Sequence, residues 1–195
     1  MITAVILAAG EASRMGVPKQ LLSYQGRPLI THVVYNLLRS QVDEVVVVLG
    51  SRAEQVLEVL TGCPVKVVLN CAFATGQSSS LKAGLAVLDH STQAVLFALG
   101  DQPLVDTRTI NLVLKRYQSA RGIIAPYFMG KRGNPVLFDR FFFTEISSLS
   151  GDVGAREIIR RHPESLVKVD VTDRGVVIDV DTWEDYRTLL ANPAR

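Results

Sequence analysis

Leu7-Ala8-Ala9-Gly10-Glu11-Ala12-Ser13-Arg14-Met15-Gly16-Val17-Pro18-Lys19 is the stretch on which the fold of this chain turns. The apolar run Ile2–Leu7 leads into it and reads as a buried strand, opening directly into a turn that contains Gly10 and Gly16. Arg14 and Lys19 project from that turn. Small residues let backbone N–H groups come close to an anion, and two fixed cations then neutralise it, which is what a triphosphate requires. The loop is not a Walker A motif, since no Gly-x4-Gly-Lys-Ser/Thr aligns here. It is not the dinucleotide fingerprint either, because Gly10 and Gly16 stand six apart.

Strand-like and helix-like patterns alternate beyond this point. Strands are expected at 4–7, 44–49, 65–69, 94–99 and 123–125, rich in Val, Ile and Leu without strict alternation. That pattern suits parallel strands covered on both faces. Helices are expected at 28–40, with Leu29, Val33, Val34, Leu37 and Leu38 on one stripe, then at 53–60, 81–88 and 107–120, the last capped by Asp106. Strand–helix alternation of this kind builds right-handed crossovers in an open α/β sheet. After Ile124 the pattern changes. Segments 125–128 and 135–138 flank Gly130-Lys131-Arg132-Gly133, which reads as a hairpin or loop. A helix at 154–161, short strands at 167–171 and 176–180, and a helix at 183–190 complete the reading. Thr182 and Asp185 would form a capping box on that last helix.

Bulk properties exclude several classes. At 195 residues the chain is long enough to bury a full core, and 48% apolar with 21% charged residues is ordinary for a globular protein. A net charge of +2 gives no basic face for a nucleic acid. The basic stretch Arg156–Arg161 alternates with Ile158 and Ile159, as the solvated side of a helix does. Cys63 and Cys71 have no CxxC spacing and are expected as free thiols. His32, His90 and His162 share no zinc-ligand spacing. No apolar run reaches the ~18 residues of a membrane span and no secretory leader is visible, so a cytoplasmic location is expected.

Three further segments can carry chemistry. Leu99-Gly100-Asp101-Gln102-Pro103 puts a carboxylate at the C-terminal end of an apolar strand, the edge where open α/β sheets bind ligands. Asp101 there suits Mg²⁺ on phosphate oxygens, though alone it would serve equally as a turn residue. Asp179 and Asp181, on the expected strand 176–180 and at its end, repeat the pattern, and alternation would point both side chains the same way. Thr75-Gly76-Gln77-Ser78-Ser79-Ser80 enters a helix and offers hydroxyls and an amide to the edge of a base, with the serines as its caps. Lys131-Arg132-Gly133-Asn134-Pro135 and Gly151-Asp152-Val153-Gly154-Ala155-Arg156 place cations or amides in glycine turns, either to hold a second anionic substrate or as plain surface turns.

Taken in order, Leu7-Ala8-Ala9-Gly10, Arg14-Met15-Gly16, Lys19, Gly76-Gln77-Ser78-Ser79-Ser80-Leu81, Gly100-Asp101-Gln102-Pro103, Gly133-Asn134-Pro135-Val136-Leu137-Phe138, and Asp181-Thr182 with Glu184-Asp185-Tyr186 resemble the molybdenum cofactor cytidylyltransferases. The likeness runs over nearly the whole chain. It implies a Rossmann-like α/β nucleotidyltransferase fold with a mostly parallel central sheet and a β-hairpin in its second half. It implies one domain over 1–195, with a nucleotide-binding half at 1–122 and an acceptor-binding half at 123–195. The implied reaction moves CMP from CTP to the terminal phosphate of molybdopterin or molybdenum cofactor, with Mg²⁺ (or Mn²⁺) held by Asp101 and Asp181. Arg14, Lys19 and Asp101 would be catalytic. Leu7, Ala8, Ala9, Gly10, Gly76 and Ser80 would line the nucleotide site, with Lys131, Arg132 and Arg156 on the acceptor side. The product would pass to a molybdenum hydroxylase or its maturation chaperone; no nucleic acid or membrane is involved. Ala9 stands where guanylyltransferases tend to have Gly, a methyl group worth ~1–3 kcal/mol in base choice. Glu11 and Ala12 depart from the family, where Ser is common at position 12. GTP as donor, a sugar or methylerythritol phosphate as acceptor, an NAD(P)-linked oxidoreductase or a cofactor chaperone remain the alternative implications. The missing dinucleotide fingerprint counts against the oxidoreductase.

Overall fold

The computed structural model describes residues 1–10 and 15–192. Among these, eight strands form one mixed sheet and two more form a small ribbon. Strand β1 (Ile2–Ala8) lies at its centre. The chain then makes a 3-10 turn at Lys19–Leu21, the ribbon β2 (Ser23–Tyr24) and β3 (Arg27–Pro28), and helix α1 (Leu29–Leu38). Next come β4 (Glu44–Leu49), α2 (Ala53–Val59), β5 (Lys66–Leu69) and α3 (Gln77–Leu85). Strand β6 (Ala94–Leu99) follows, then α4 (Thr107–Ser119), with the Asp106 carboxylate accepting from the Arg108 N–H as its cap.

The second half begins with β7 (Ile123–Phe128) and β8 (Lys131–Arg132), a hairpin whose turn residues Met129 and Gly130 both have positive φ. It continues through β9 (Val136–Asp139), α5 (Phe143–Ser148), α6 (Arg156–Arg161), β10 (Leu166–Asp170) and α7 (Trp183–Ala191). The strand order is β10-β7-β9-β6-β1-β4-β5, with β8 paired to β7. Strands β6, β1, β4 and β5 run parallel, as the uninterrupted Val/Ile/Leu pattern implied. Strand β9 is antiparallel to both β6 and β7, which brings the second half into the same sheet.

The two faces of the sheet bury two cores. On one, Ile6, Val47 and Leu96 pack with Ile30 and Val34 of α1 and Ile110 and Val113 of α4. On the other, Val5, Val46 and Phe97 pack with Leu81 of α3, Ile146 of α5 and Ile158 of α6. Successive residues of β1 thus enter opposite cores, so neither face could be polar.

Three expectations are corrected. Segment 176–180 is not a strand: a 3-10 turn covers Arg174–Val177, its Asp173 cap accepting from the Gly175 N–H, and an extended stretch follows. The chain there crosses the strand ends instead of joining the sheet, with Asn134 N–H donating to Val176 O (2.9 Å) and Val180 N–H to Asp101 O (3.1 Å). Helix α3 starts at Gln77, not Leu81, and Gly76 is its N-cap. The serines therefore sit in its first turn and do not cap it. Ser78 Oγ donates to Gly151 O (2.8 Å), while Asn70 Nδ2 donates to both Ser79 Oγ (2.8 Å) and Ser80 Oγ (3.1 Å). The capping box of α7 forms as expected between Thr182 and Asp185.

Gly84 lets α3 lie close on the sheet: a Cβ there would stand 2.5 Å from Val5 Cγ1. Gly84→Val should therefore cost about 1–3 kcal/mol through overpacking, read as a lower thermal midpoint. An unchanged midpoint would mean that this contact has slack.

Candidate active site

The site follows from strand register. Leu7 of β1 is paired with Leu99 of β6, so the loops leaving these two strands emerge side by side. One carries Gly10 and Lys19 and the other Gly100 and Asp101. This lies at the C-terminal ends of the strands, where the order reverses about β1 and a crevice opens.

Lys19 Nζ lies 2.5 Å from Asp101 Oδ2 and 2.6 Å from Asp181 Oδ1. One ammonium thus joins three segments that are 82 and 162 residues apart in sequence. Burial works against the charge on Lys19, but Asp101 and Asp181 outweigh it and hold the ammonium above its ordinary value. Burial pushes the Asp101 carboxyl up; Lys19 opposes this, while Asp179 and Asp181 add to it. Side-chain exposure is 18% for Lys19, 15% for Asp101 and 45% for Asp181, so Asp181 is the arm that solvent or a ligand can reach.

Gln20, which the sequence reading did not single out, is buried beneath the first loop and its Nε2 donates to Ala8 O (3.3 Å). The Gln102 side chain does the same for the C-terminal arm, with Nε2 donating to Asp179 Oδ1. Asp179 and Asp181 consequently have different partners, because the segment is not a strand and does not alternate as one.

A cavity of about 460 Å³ opens between these groups, within the size range of small-ligand sites. Leu7, Ala8, Ala9 and Gly10 form one wall, and Lys19 and Asp101 another. Gly76, Gln77 and Ser80 of the α3 entry face them, with Phe73 and Ala74 beside. Gly76 has φ +110, and a Cβ there would stand 2.4 Å from the Gly151 carbonyl carbon, so only glycine admits this approach. Asp152, from the half expected to bind the acceptor, also lines this cavity.

A second cavity of about 250 Å³ adjoins the first. Arg132, Arg156, Asn134 and Gln77 supply its polar groups, and Phe97 and Phe138 are among its apolar walls. Of the three cations expected on the acceptor side, Arg132 and Arg156 meet here. Lys131, the third, is exposed on β8 and does not line this cavity, since neighbouring strand residues face opposite ways. Arg14 lies outside the described residues.

The residues fit a divalent cation on one observation. Among the described residues Asp101 Oδ1 is buried and has no hydrogen-bond partner, while Oδ2 is taken by Lys19. A carboxylate oxygen of this kind is a hard donor suited to Mg²⁺ or Mn²⁺, which are often bound by one or two carboxylates plus substrate phosphates and water. Among the described residues no group of three His, Cys, Asp or Glu gathers to hold a metal unaided. None of the helices among them is long and apolar enough to cross a membrane.

Comparison with known proteins agrees with this geometry. Residues 4–166 match the model of the MobA-like NTP transferase domain. The chain is 34% identical over 197 residues to nicotine blue oxidoreductase of Paenarthrobacter nicotinovorans, covering 97% of this chain and 96% of that protein. It superposes on the crystal structure of Rv0371c from Mycobacterium tuberculosis H37Rv with a TM-score of 0.88 and 30% identity, covering 98% and 97% of the two chains. A manganese complex of Rv0371c gives a TM-score of 0.83 and 31% identity over 98% of each chain. A nucleotidyl transferase from Methanothermobacter thermautotroptrophicus gives 0.85 and 26%, covering 98% and 96%. The chain belongs to the MobA-like NTP transferase family, and its activity class is nucleotidyl transfer from a nucleoside triphosphate.

The raised Asp101 value has a sign that can be checked. The folded chain holds that proton more tightly than the unfolded chain does, so stability falls as pH rises from the ordinary value of 3.8 through the folded one. Above both values the ionised carboxylate costs stability, and a neutral isostere avoids the cost. Asp101→Asn should melt no lower than the wild type at neutral pH, measured by circular dichroism, with the difference closing in acid. A clearly lower melting temperature would show that the attraction of Lys19 outweighs burial.

Proposed function

We propose that this protein transfers CMP from CTP to the terminal phosphate of molybdopterin or its molybdenum-loaded form, releasing pyrophosphate. One observation carries the reading: Lys19, clamped between Asp101 and Asp181, lines the same cavity as Leu7, Ala8, Ala9 and Gly10. The acceptor's phosphate is already an anion, so no general base is required, and catalysis consists of positioning and charge neutralisation.

In this mechanism Lys19, with Arg14, holds the triphosphate and stabilises charge on the departing pyrophosphate. Lys19 exchanges a carboxylate partner for phosphate oxygen, and the half-exposed Asp181 is the partner that yields. Asp101 and Asp181 would hold Mg²⁺, which when bound neutralises phosphate charge and polarises the α-phosphate. The base sits against Ala8, Ala9, Gly76 and Ser80. The phosphorylated pterin enters the second cavity, where Arg132 and Arg156 supply positive charge and the phenylalanines an apolar wall.

The name of the Paenarthrobacter relative favours a redox reading as the competitor. Against it stand the glycine spacing of the first loop and the Lys19–Asp101–Asp181 cluster, for which hydride transfer has no use. Trp183, the only tryptophan, is two residues from Asp181 and serves as a built-in reporter. Its fluorescence should respond to CTP with Mg²⁺ at lower ligand concentration than to GTP or NADPH. Preferential response to NADPH would overturn the transferase reading.

Lys19→Ala should lower pyrophosphate release from CTP and molybdopterin by about 100-fold or more, the cost of losing a charge-assisted contact in the transition state. Wild-type kinetics in that variant would remove Lys19 from the chemistry. Ala9→Gly should move the CTP/GTP ratio of kcat/KM toward GTP, and an unmoved ratio would detach Ala9 from base choice.

A further inference from the structure

Among the described residues, Leu7, Gln77 and Leu99 line both cavities, and of these three only Gln77 has a side chain able to form hydrogen bonds. Two leucines and one carboxamide therefore make the shared boundary. Gln77 is the first residue of α3, and its backbone N–H donates to Asp152 Oδ1 (3.3 Å). Ser78 N–H donates to Gly151 O (3.3 Å), so the Gly151–Arg156 segment is strapped across the α3 entry. That segment carries Asp152 to the first cavity and Arg156 to the second. The carboxamide lies directly against its backbone: a Cβ on Gly154 would stand 2.2 Å from Gln77 Oε1 and 2.9 Å from Cδ. Gly154 is thus the space that the Gln77 side chain occupies.

We propose that the Gln77 carboxamide is a catalytic group at the junction of the two substrates, donating to the phosphate oxygens that meet there. The inference rests on the transferase reading and adds a residue to it. In the step concerned, an acceptor phosphate oxygen forms a bond to the α-phosphorus, and the bond from that phosphorus to the α,β-bridging oxygen breaks. Pyrophosphate leaves with the bonding electron pair. Two anions must approach each other at this point, with Lys19 lining the first cavity and Arg132 and Arg156 the second. A neutral donor between them offers N–H groups to both without pairing permanently with either. It does most when charge gathers on the transferring phosphoryl oxygens, a contribution made in the transition state more than in binding.

The test compares Gln77→Ala, Gln77→Glu and Gly154→Ala in the full chain. Alanine keeps the backbone N–H that Asp152 accepts from, so the α3 entry is preserved. Gln77→Ala should lower kcat for pyrophosphate release by about 100-fold, the loss expected for one preorganised donor. CTP affinity, followed by Trp183 fluorescence, and the thermal midpoint should stay near the wild-type values. Gln77→Glu should be slower still, because it sets a carboxylate against two phosphates. Gly154→Ala should reproduce part of the loss by displacing a carboxamide that is chemically intact. Wild-type kcat in Gln77→Ala, or a loss matched by equal weakening of CTP binding, would overturn the assignment while leaving the transferase reading in place. A wild-type protein that binds CTP yet releases no pyrophosphate with any phosphorylated acceptor would overturn the transferase reading itself, and this proposal with it.

Discussion

Lys19 holds the two carboxylates of Asp101 and Asp181 together at 2.5 and 2.6 Å, and without that positive charge they could not share a largely buried corner. Ionised carboxylates in low dielectric repel each other and are costly to desolvate. The ammonium offsets part of both effects and ties the C-terminal arm to the first loop. Val180 N–H to Asp101 O adds a backbone tie at the same point, and Gln102 Nε2 to Asp179 Oδ1 a side-chain one. A phosphate chain approaching Asp101 meets a carboxylate whose Oδ1 has no hydrogen-bond partner among the described residues, and a divalent cation would relieve that repulsion.

The second half of the chain is fitted to the first by one antiparallel strand. Strand β9 runs between β6 and β7 and places Val136 and Phe138 beside Phe97, in the wall of the second cavity. From there the Gly151–Arg156 segment returns over the α3 entry, where glycines at 76 and 154 remove the side chains that would hold the two apart. Neither cavity is complete within one half of the sequence. The first cavity takes Asp152 from the second half, and the second cavity takes Leu7, Gln77 and Leu99 from the first.

A fold of this kind does not dictate one reaction. The chain matches a protein named as an oxidoreductase over almost its full length and superposes closely on a nucleotidyl transferase. What separates such chemistries is the charge set at the strand ends, not the sheet beneath it. Here that set is an ammonium flanked by carboxylates, suited to phosphate and metal and of little use to a nicotinamide ring.

Much of the frame was legible in the sequence, because its physics is local. Short uninterrupted Val/Ile/Leu runs bounded by turn residues fit strands buried on both faces, and they located β4 and β6 to the residue; Asp106 and the Thr182–Asp185 box marked helix starts. Gly10, Lys19, Gly76, Ser80 and Asp101 were recognisable as residue types that phosphate and base chemistry use at loop–helix and strand–loop junctions. Tertiary structure decided what depended on partners distant in sequence. The 176–180 segment has the composition of a strand, yet it accepts hydrogen bonds from Asn134 and Gln102 and donates one to Asp101 O in place of a sheet edge, and so gives Asp179 and Asp181 different partners. Gln77 carries no signal in its own neighbourhood that it borders two cavities. That role exists only because Gly154, 77 positions later, leaves room for its side chain, and a contact of that separation cannot be read from periodicity or propensity.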